Sequence, residues 1–457
     1  LLRAVSDALD GRAEYYDVRV LHVTSTNLEV KKGDVTRAVA GKDAGACVRV
    51  LCKGAWGFAS TPDIDETAIG EAAERALRTA KGIGEMTTEK AGLAPVKAVT
   101  DDVTVPMKKS FIDEPIEEKL ALLQSTHDAV KQYDFVFNDL ISYKDTYTVE
   151  EFNSSEGTSL ITRAPRVYWA LELIGRKDSQ IQSVRRRIGA TAGLEAFDDD
   201  AQLRQADAAT ASLVSLLNGK SPPSGPMPVV ADPDLAGVFA HEAVGHASEA
   251  DLVATGNSCF GGRLGEQIGS EIVTIRDDAT VPGAYGSLVY DDEGVRAGNK
   301  LLIRQGILND FILGRETAAK LGMTPNGGSR AESYHGRPLV RMSNTYIEAG
   351  DRTLKELLEG IELGVYAKGT RGGQVNTAQG FFQFNAQESY LIEHGEITKP
   401  LRDVSLSGRT LDTLKLIDGV GNDRDLHGVG ICGKGQWVPV GDGGPHIRIA
   451  RCVVGGR

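Results

Sequence analysis

Two of the eight histidines in this 457-residue chain, His241 and His246, stand five apart, with Glu242 beside the first. A His-Glu-x-x-x-His string arises by chance in about one such chain in a hundred. Imidazoles hold metal ions and a carboxylate takes protons, so the three residues specify metal-assisted hydrolysis. In that chemistry an ion polarises a carbonyl and acidifies a water, and Glu242 accepts the water's proton. On an ideal α-helix, residues five apart are separated by about 140° and about 7.5 Å, so a straight helix does not aim both histidines at one ion. Gly245, immediately before His246, predicts that the helix ends there or widens into a π-bulge.

Catalytic zinc takes three protein ligands and a water, so two histidines leave the site one ligand short. The candidates are Glu249, Asp251, Cys259, His335, His394, His427, Cys432 and His446. Residue chemistry favours Cys432, in Gly-Val-Gly-Ile-Cys-Gly-Lys-Gly-Gln (428–436), where glycines permit close backbone approach and Lys434 favours a thiolate. One thiolate and two neutral imidazoles leave the ion about one positive charge, so Glu242 matters more as base. The plainer alternatives are a polar helix face for the motif and a small buried thiol for Cys432. Glu249 and Asp251 read as groups that orient the histidines. Residues 372–384 read as a glycine-rich strand entry or as an edge that pairs with an extended peptide. Arg341 and Asn344 read as fixing a turn or strand end, outside catalysis.

The elements that position these residues follow from periodicity. Alternation predicts strands over 18–23, 28–30, 35–39 and 46–51 with a turn at Gly33, then a helix capped by Thr61 or Asp63 whose stripe is Ile69, Ala72, Ala73, Ala76, Leu77 and Ala80. A looser stretch, 86–108, precedes a helix after Pro115 with Ile116, Leu120, Leu123 and Val130 on one face. Residues 135–188 read as long antiparallel strands with a turn at 154–157, and 199–217 as a third helix. Strands followed by helix, twice, give an α+β layout with helices on one face of a mixed or antiparallel sheet. No Gly-x-Gly-x-x-Gly joins strand to helix, which argues against a dinucleotide fold.

Four of the sixteen prolines fall within 221–228, which places a domain boundary there: 1–220 is an N-terminal α+β, sandwich-like domain and 221–457 a β-rich C-terminal one. The second domain opens with a strand at 229–231, an N-cap at Asp232, Pro233 at the first helical position and a helix running into the histidine motif. Strands are then expected at 271–275, 287–290, 301–313, 340–348 and from 380 onward, with a short helix at 354–358.

A net charge of −12 argues against a nucleic-acid partner, since the cluster Arg185, Arg186, Arg187 is too short to overturn it. No apolar run reaches the about 18–20 residues of a membrane helix. The start, with Leu1, Leu2, Val5 and Leu9 broken by Asp7 and Asp10, lacks a signal peptide's apolar core, and the absent Met predicts a trimmed N-terminus; cytoplasm is the expected compartment. Five scattered cysteines are no disulfide framework, and Cys47 and Cys52, an odd number apart, should face opposite sides of a sheet.

With these motifs the chain resembles the TldD/PmbA family, soluble metallopeptidases of bacteria and archaea, over nearly its whole length. The resemblance rests on His-Glu-Ala-Val-Gly-His (241–246), Arg-Met-Ser-Asn-Thr (341–345), Gly-Gly-Gln-Val (372–375) with Gly-Phe-Phe-Gln-Phe (380–384), and Gly-Ile-Cys-Gly-Lys (430–434). It implies zinc held by His241, His246 and Cys432, Glu242 as catalytic base, and the TldD-like branch, since the non-catalytic branch lacks the motif. It also implies a dimer, of two copies or with a PmbA-like (TldE) subunit, that encloses the site and cleaves unfolded peptides. The segment after His246, Ala-Ser-Glu-Ala-Asp, departs from the family's commoner Gly-Leu-Glu-Gly-Asp. Two other readings stay open: a non-catalytic, zinc-stabilised peptide-binding or assembly subunit, and a cysteine hydrolase using Cys432 with His427.

Overall fold

A computed structural model describes residues 2–456 and shows an α+β protein; Leu1, the first residue of the amphipathic start, lies outside the described residues. That start forms α1 (Leu2–Leu9), which buries Val5 and Leu9. The N-terminal sheet contains β1 (Tyr15–Lys31), β2 (Asp34–Cys52), β3 (Ala55–Thr61), β4 (Thr100–Thr104), β5 (Val136–Ser154), β6 (Ser159–Lys177) and β7 (Gln180–Ala190). Their order is β3-β2-β1-β5-β6-β4, with β7 also on β6, and every pairing is antiparallel except β4 with β6. Lys32 and Gly33 take positive φ of 53° and 84°, the backbone a two-residue hairpin needs, so β1 and β2 run on as one long ribbon.

Together with α1, three longer helices cover one face of this sheet. α2 (Glu66–Met86) buries all six residues of the expected stripe, but its cap is Asp65, whose carboxylate accepts from the Ala68 N–H, in place of Thr61 or Asp63. It lies so close to β3 that a Cβ on Gly57 would stand 1.8 Å from the Ala76 carbonyl oxygen. α3 (Ile116–Val130) and α4 (Ala201–Asn218) pack on Leu28 and Val30 of β1, the same side as the Tyr16, Val18 and Val20 that meet α2. The loose 86–108 stretch hides β4, whose alternating exposure carries charged Asp101 and Asp102 and so gives no apolar period. Cys47 and Cys52 occupy opposite faces, Cys52 toward α2 and Cys47 beside Arg19 on the other side.

That other face meets the C-terminal part through buried charge. The Arg49 guanidinium reaches Asp17 and, at 3.0 Å, Glu293, while Arg19 lies 3.1 Å from Glu150 and 3.3 Å from Asp292.

After the proline run come β8 (Gly225–Ala231) and α5 (Pro233–Phe239), with Asp232 capping the helix by accepting from Leu235 N–H. The later strands are β9 (Ile275–Asp278), β10 (Asn299–Arg304), β11 (Ile307–Leu308), β12 (Ser329–Arg330), β13 (Leu339–Val340), β14 (Asn344–Ile347), β15 (Leu363–Asn376), β16 (Phe381–Glu393), β17 (Glu396–Leu401), β18 (Ser405–Arg409), β19 (Ile417–Val420), β20 (Asp425–Gly433), β21 (Trp437–Gly444) and β22 (Ile447–Gly455). One sheet runs β11-β10-β9-β14-β21-β20; the other runs β15-β8-β22-β18-β16 and closes on itself through β15 and β16, making a small barrel. α5 sits between barrel and sheet, where Phe239 meets Phe382 edge-on at 5.5 Å.

Several strand expectations here need correction. Residues 271–274 are turn and loop, and the strand starts at Ile275; 287–290 contributes only a bridge between Tyr290 and Arg296. The 301–313 stretch breaks at Gln305 and Gly306, both at positive φ, and 340–348 divides into β13 and β14. Helices Arg315–Leu321 and Thr410–Lys415 join the expected Leu354–Leu358; each is under two turns, too short for a period to register. Among the described residues no helix is long and apolar enough to cross a membrane.

Arg49→Ala should strand Asp17 and Glu293 as buried, unpaired carboxylates and cost about 3–5 kcal/mol. A thermal unfolding midpoint equal to the parent chain's would show that this network contributes nothing.

Candidate metal centre

α5 does not end at Phe239. Its backbone continues through a π-turn, Ala240–Gly245, and a 3-10 turn, His246–Ser248, before the chain bends at Glu249. The widening expected from Gly245 is therefore present, and it puts residues five apart on one side: the His241 and His246 rings lie 5.2 Å apart, nearly perpendicular at 83°. Gly245 also faces Met342, where a Cβ would stand 2.0 Å from the sulfur. Along 240–248 only Glu242 is not buried; it points into a cleft.

Cys432 comes from β20, an edge strand. It pairs with Val438 on β21 and faces the motif helix, so that potential ligand atoms of His241, His246 and Cys432 all lie within 4.8 Å of one another. Cys432 Sγ is 3.3 Å from His246 Nε2, and a Glu242 carboxylate oxygen is 3.9 Å from the same nitrogen. Among the described residues no other His, Cys, Asp or Glu joins the group.

The other candidates lie elsewhere. His446 bonds Asp423 and the Tyr366 hydroxyl, His394 pairs with Glu362 on an exposed turn, and His335 approaches Ser60 at the surface. Cys259 is a half-buried thiol near Gly380. His427 lies five residues before Cys432 on β20, with a side chain 93% exposed and paired to Asp425, so it cannot serve that thiol as base.

Glu249 is fully buried and binds His246 Nδ1 at 2.9 Å, which leaves Nε2 for the cluster. Lys434 approaches Glu249 at 3.2 Å and bonds both Asp251 oxygens, at 2.9 and 2.8 Å. Lys434 therefore braces the carboxylates and does not touch the thiol, contrary to its expected role. Arg341 does more than hold a strand end: it donates to the Cys432 and Gln436 carbonyls at 2.6 Å each, and its Nε lies 3.7 Å from Glu249. In the sequence only the Arg-Met-Ser-Asn-Thr motif (341–345) marks Arg341, and nothing in its spacing ties it to Cys432.

Charge is shared across this cluster. Burial would push the Cys432 thiol up, but His241 and His246 override it and hold it at about 4. Burial opposes protonation of His246, yet Glu249 and Cys432 raise it well above an ordinary imidazole, and His241 is raised by Cys432 and Glu242. Burial and Asp234 push nearby Asp442 up to about 7. Without a metal the site thus holds a thiolate beside histidines biased toward their protonated forms; a borderline-soft cation would take the thiolate and displace the imidazole protons.

The cluster opens on a cleft of about 910 Å³ whose lining includes Arg185 and Arg187 of β7, 370–375 of β15 and 429–434 of β20. β15 pairs with β16 on one side, with a bulge that leaves Arg371 and Gly372 unpaired, and with β8 on the other side only over residues 365–367, so the 372–376 part of the stretch keeps one edge without a partner strand, while 381–384 lies between β15 and β18.

Sequence models described as the PmbA/TldA metallopeptidase domain 1, central domain and C-terminal domain match residues 16–80, 109–217 and 224–456. A protein of Methanothermobacter thermautotrophicus named a metalloprotease is 42% identical, covering 98% of this chain and 97% of its own length. A zinc metalloprotease TldD homolog of Saccharolobus solfataricus is 32% identical with 100% of both chains covered. The solved structure of TldE from Thermococcus kodakarensis superposes with a TM-score of 0.79 at 18% identity, over 100% of this chain and 99% of that one. A Thermotoga maritima protein described as a putative modulator of a DNA gyrase gives 0.80 at 23%, over 99% and 98%.

A thiol held at about 4 is ionised throughout the range where ordinary thiols titrate. In metal-free protein, alkylation of Cys432 by iodoacetamide, taken as the difference from Cys432→Ser, should be flat from about pH 5.5 to 7.5. A rate climbing about tenfold per pH unit would mark an ordinary thiol.

Proposed function

The chain belongs to the PmbA/TldD family of metallopeptidases, three of whose domains cover it, and from that premise we propose a zinc-dependent peptidase of the TldD-like branch, with His241, His246 and Cys432 as zinc ligands and Glu242 as general base. The observation that carries this reading is the convergence of the three ligand atoms, within 4.8 Å of one another, beside a large cleft. Tetrahedral zinc, with bonds of about 2.3 Å to sulfur and about 2.0 Å to nitrogen, keeps its ligand atoms about 3.3–3.6 Å apart. The 3.3 Å between Cys432 Sγ and His246 Nε2 fits. With no fourth His, Cys, Asp or Glu in the group among the described residues, a coordination position stays open for water, as in catalytic and not in structural sites.

Zinc, when bound, supplies a Lewis acid that polarises a peptide carbonyl and lowers the pKa of a water. Glu242, exposed to the cleft and close to His246, takes that water's proton and delivers it to the leaving amine. Glu249 keeps the His246 tautomer fixed throughout.

The substrate is an unfolded or flexible peptide. The cleft is bordered by two strands at sheet edges, β7 and β20; side chains take the Arg185 N–H and the Val429 and Cys432 carbonyls, and the remaining edge groups suit an extended chain and no folded one. The boundary near 220 divides the labour: residues 221–457 carry the chemistry, and 1–220 supply the β7 wall. A second copy, or a PmbA-like (TldE) subunit, is the dimer partner; the full-length likeness to a TldE supports that pairing.

Chelation should abolish cleavage of an unstructured peptide and added zinc should restore it. Glu242→Gln should retain zinc and lose at least about a hundredfold in kcat. Native-rate cleavage by that variant removes Glu242 from the mechanism, and chelator-insensitive cleavage stopped by a thiol reagent removes the metal.

A further inference from the structure

Glu249 anchors His246, but His241 has no such hydrogen bond. Its Nδ1 is enclosed and unbonded. Oδ1 of Asp442 is likewise enclosed and without a donor. The other enclosed side-chain acceptors without donors among the described residues are on Asn138, Gln202, Glu249, Ser389 and Thr410. Glu249 is the residue already bonded to His246, and the rest lie on β5, α4, β16 and helix Thr410–Lys415.

Geometry brings His241 and Asp442 together. Side chains on a helix lean toward its N-terminus, which directs His241 toward the turn that contains Gly237. A Cβ on Gly237 would stand 2.9 Å from Asp442 Oδ1 and 2.5 Å from the Gly443 nitrogen, and one on Gly428 would stand 1.9 Å from the same Oδ1. Two glycines, one on the motif helix and one on β20, therefore leave the space that this carboxylate fills. Asp442 is opposite Gly428 in the β20–β21 register, and Gly430 with Val440, then Cys432 with Val438, follow in steps of two. The carboxylate thus shares a ribbon face with Cys432. His241 is among the charges that act on Asp442.

We propose that Asp442 is the positioning residue of His241: in the zinc-bound protein its Oδ1 accepts the Nδ1–H, a hydrogen bond that neither atom makes in this structure, fixes the tautomer and holds Nε2 toward Cys432 and the ion. The two ligand imidazoles are then fixed symmetrically, His246 by Glu249 and His241 by Asp442, with the glycine cradle selecting Asp over the longer Glu. The inference rests on His241 being a ligand, and zinc binding by the parent protein tests that separately.

The test is zinc affinity of the full chain, by competition with a chromophoric chelator. Asp442→Ala should bind zinc about 10- to 100-fold more weakly. Asp442→Asn, isosteric in the cradle and still offering an acceptor oxygen, should fall between that and the parent. Asp234→Ala removes a neighbouring charge from the same cleft and should stay within about threefold of the parent, the loss expected of a long-range charge in a solvated cleft. Parent-like affinity in Asp442→Ala, or an equal loss in Asp442→Ala and Asp234→Ala, overturns the assignment, the second because bulk charge then explains the effect. If Asp442→Ala does not fold, Asp442→Asn decides alone: a loss of about threefold or more supports the assignment and unchanged affinity overturns it.

Discussion

The centre depends on one buried helix that is not a regular α-helix. Residues 235–250 run through the middle of the C-terminal domain, between barrel and sheet, with every residue but Glu242 buried. A helix so enclosed cannot rotate to bring its polar side chains round to a ligand, so their direction is set by the backbone. The π-turn over Ala240–Gly245 adds the rotation that a spacing of five lacks, and Gly245 allows the close approach of Met342 that packs the widened turn. Packing thus holds a backbone irregularity in place, and the irregularity aims two imidazoles at one point.

Cys432 reaches that point from about 190 residues downstream because β20 is the last strand of its sheet and lies against the helix. Around it, fixed charge is arranged in layers. The thiolate is stabilised by the imidazoles it faces, Glu249 stabilises the imidazole it bonds, and Lys434 and Arg341 stabilise Glu249. Each layer is buried, so each requires the next to avoid an uncompensated charge. Arg341 links the layers mechanically as well, since one guanidinium serves the Cys432 carbonyl and stands beside Glu249. A substitution at Glu249 or Arg341 should therefore act on the proposed ligand side chains without touching an ion.

Much of this was legible in the residues. The helical stripe of α2, the antiparallel ribbons 136–177 and the Asp232 cap follow from local period and turn chemistry, which act over a few residues. The distortion at Gly245 was legible because two imidazoles with one purpose conflicted with helical geometry. Cys432 was legible through the glycines around it. The roles of Lys434 and Arg341 were not, because each depends on which carboxylate lies nearest after folding: Lys434 sits two residues from the thiol yet is drawn to Asp251 and Glu249. The barrel and β4 escaped for a related reason, since barrel closure is set by pairing between β15 and β16 and β4 has too few apolar residues to show a period.

The most direct measurement is anomalous diffraction at the zinc edge from crystals of the zinc-loaded protein. One strong peak bonded to the side chains of His241, His246 and Cys432, with Glu242 near but unbonded, is the predicted result. A peak elsewhere, or a fourth protein ligand closing the coordination shell, would contradict a catalytic centre at this helix.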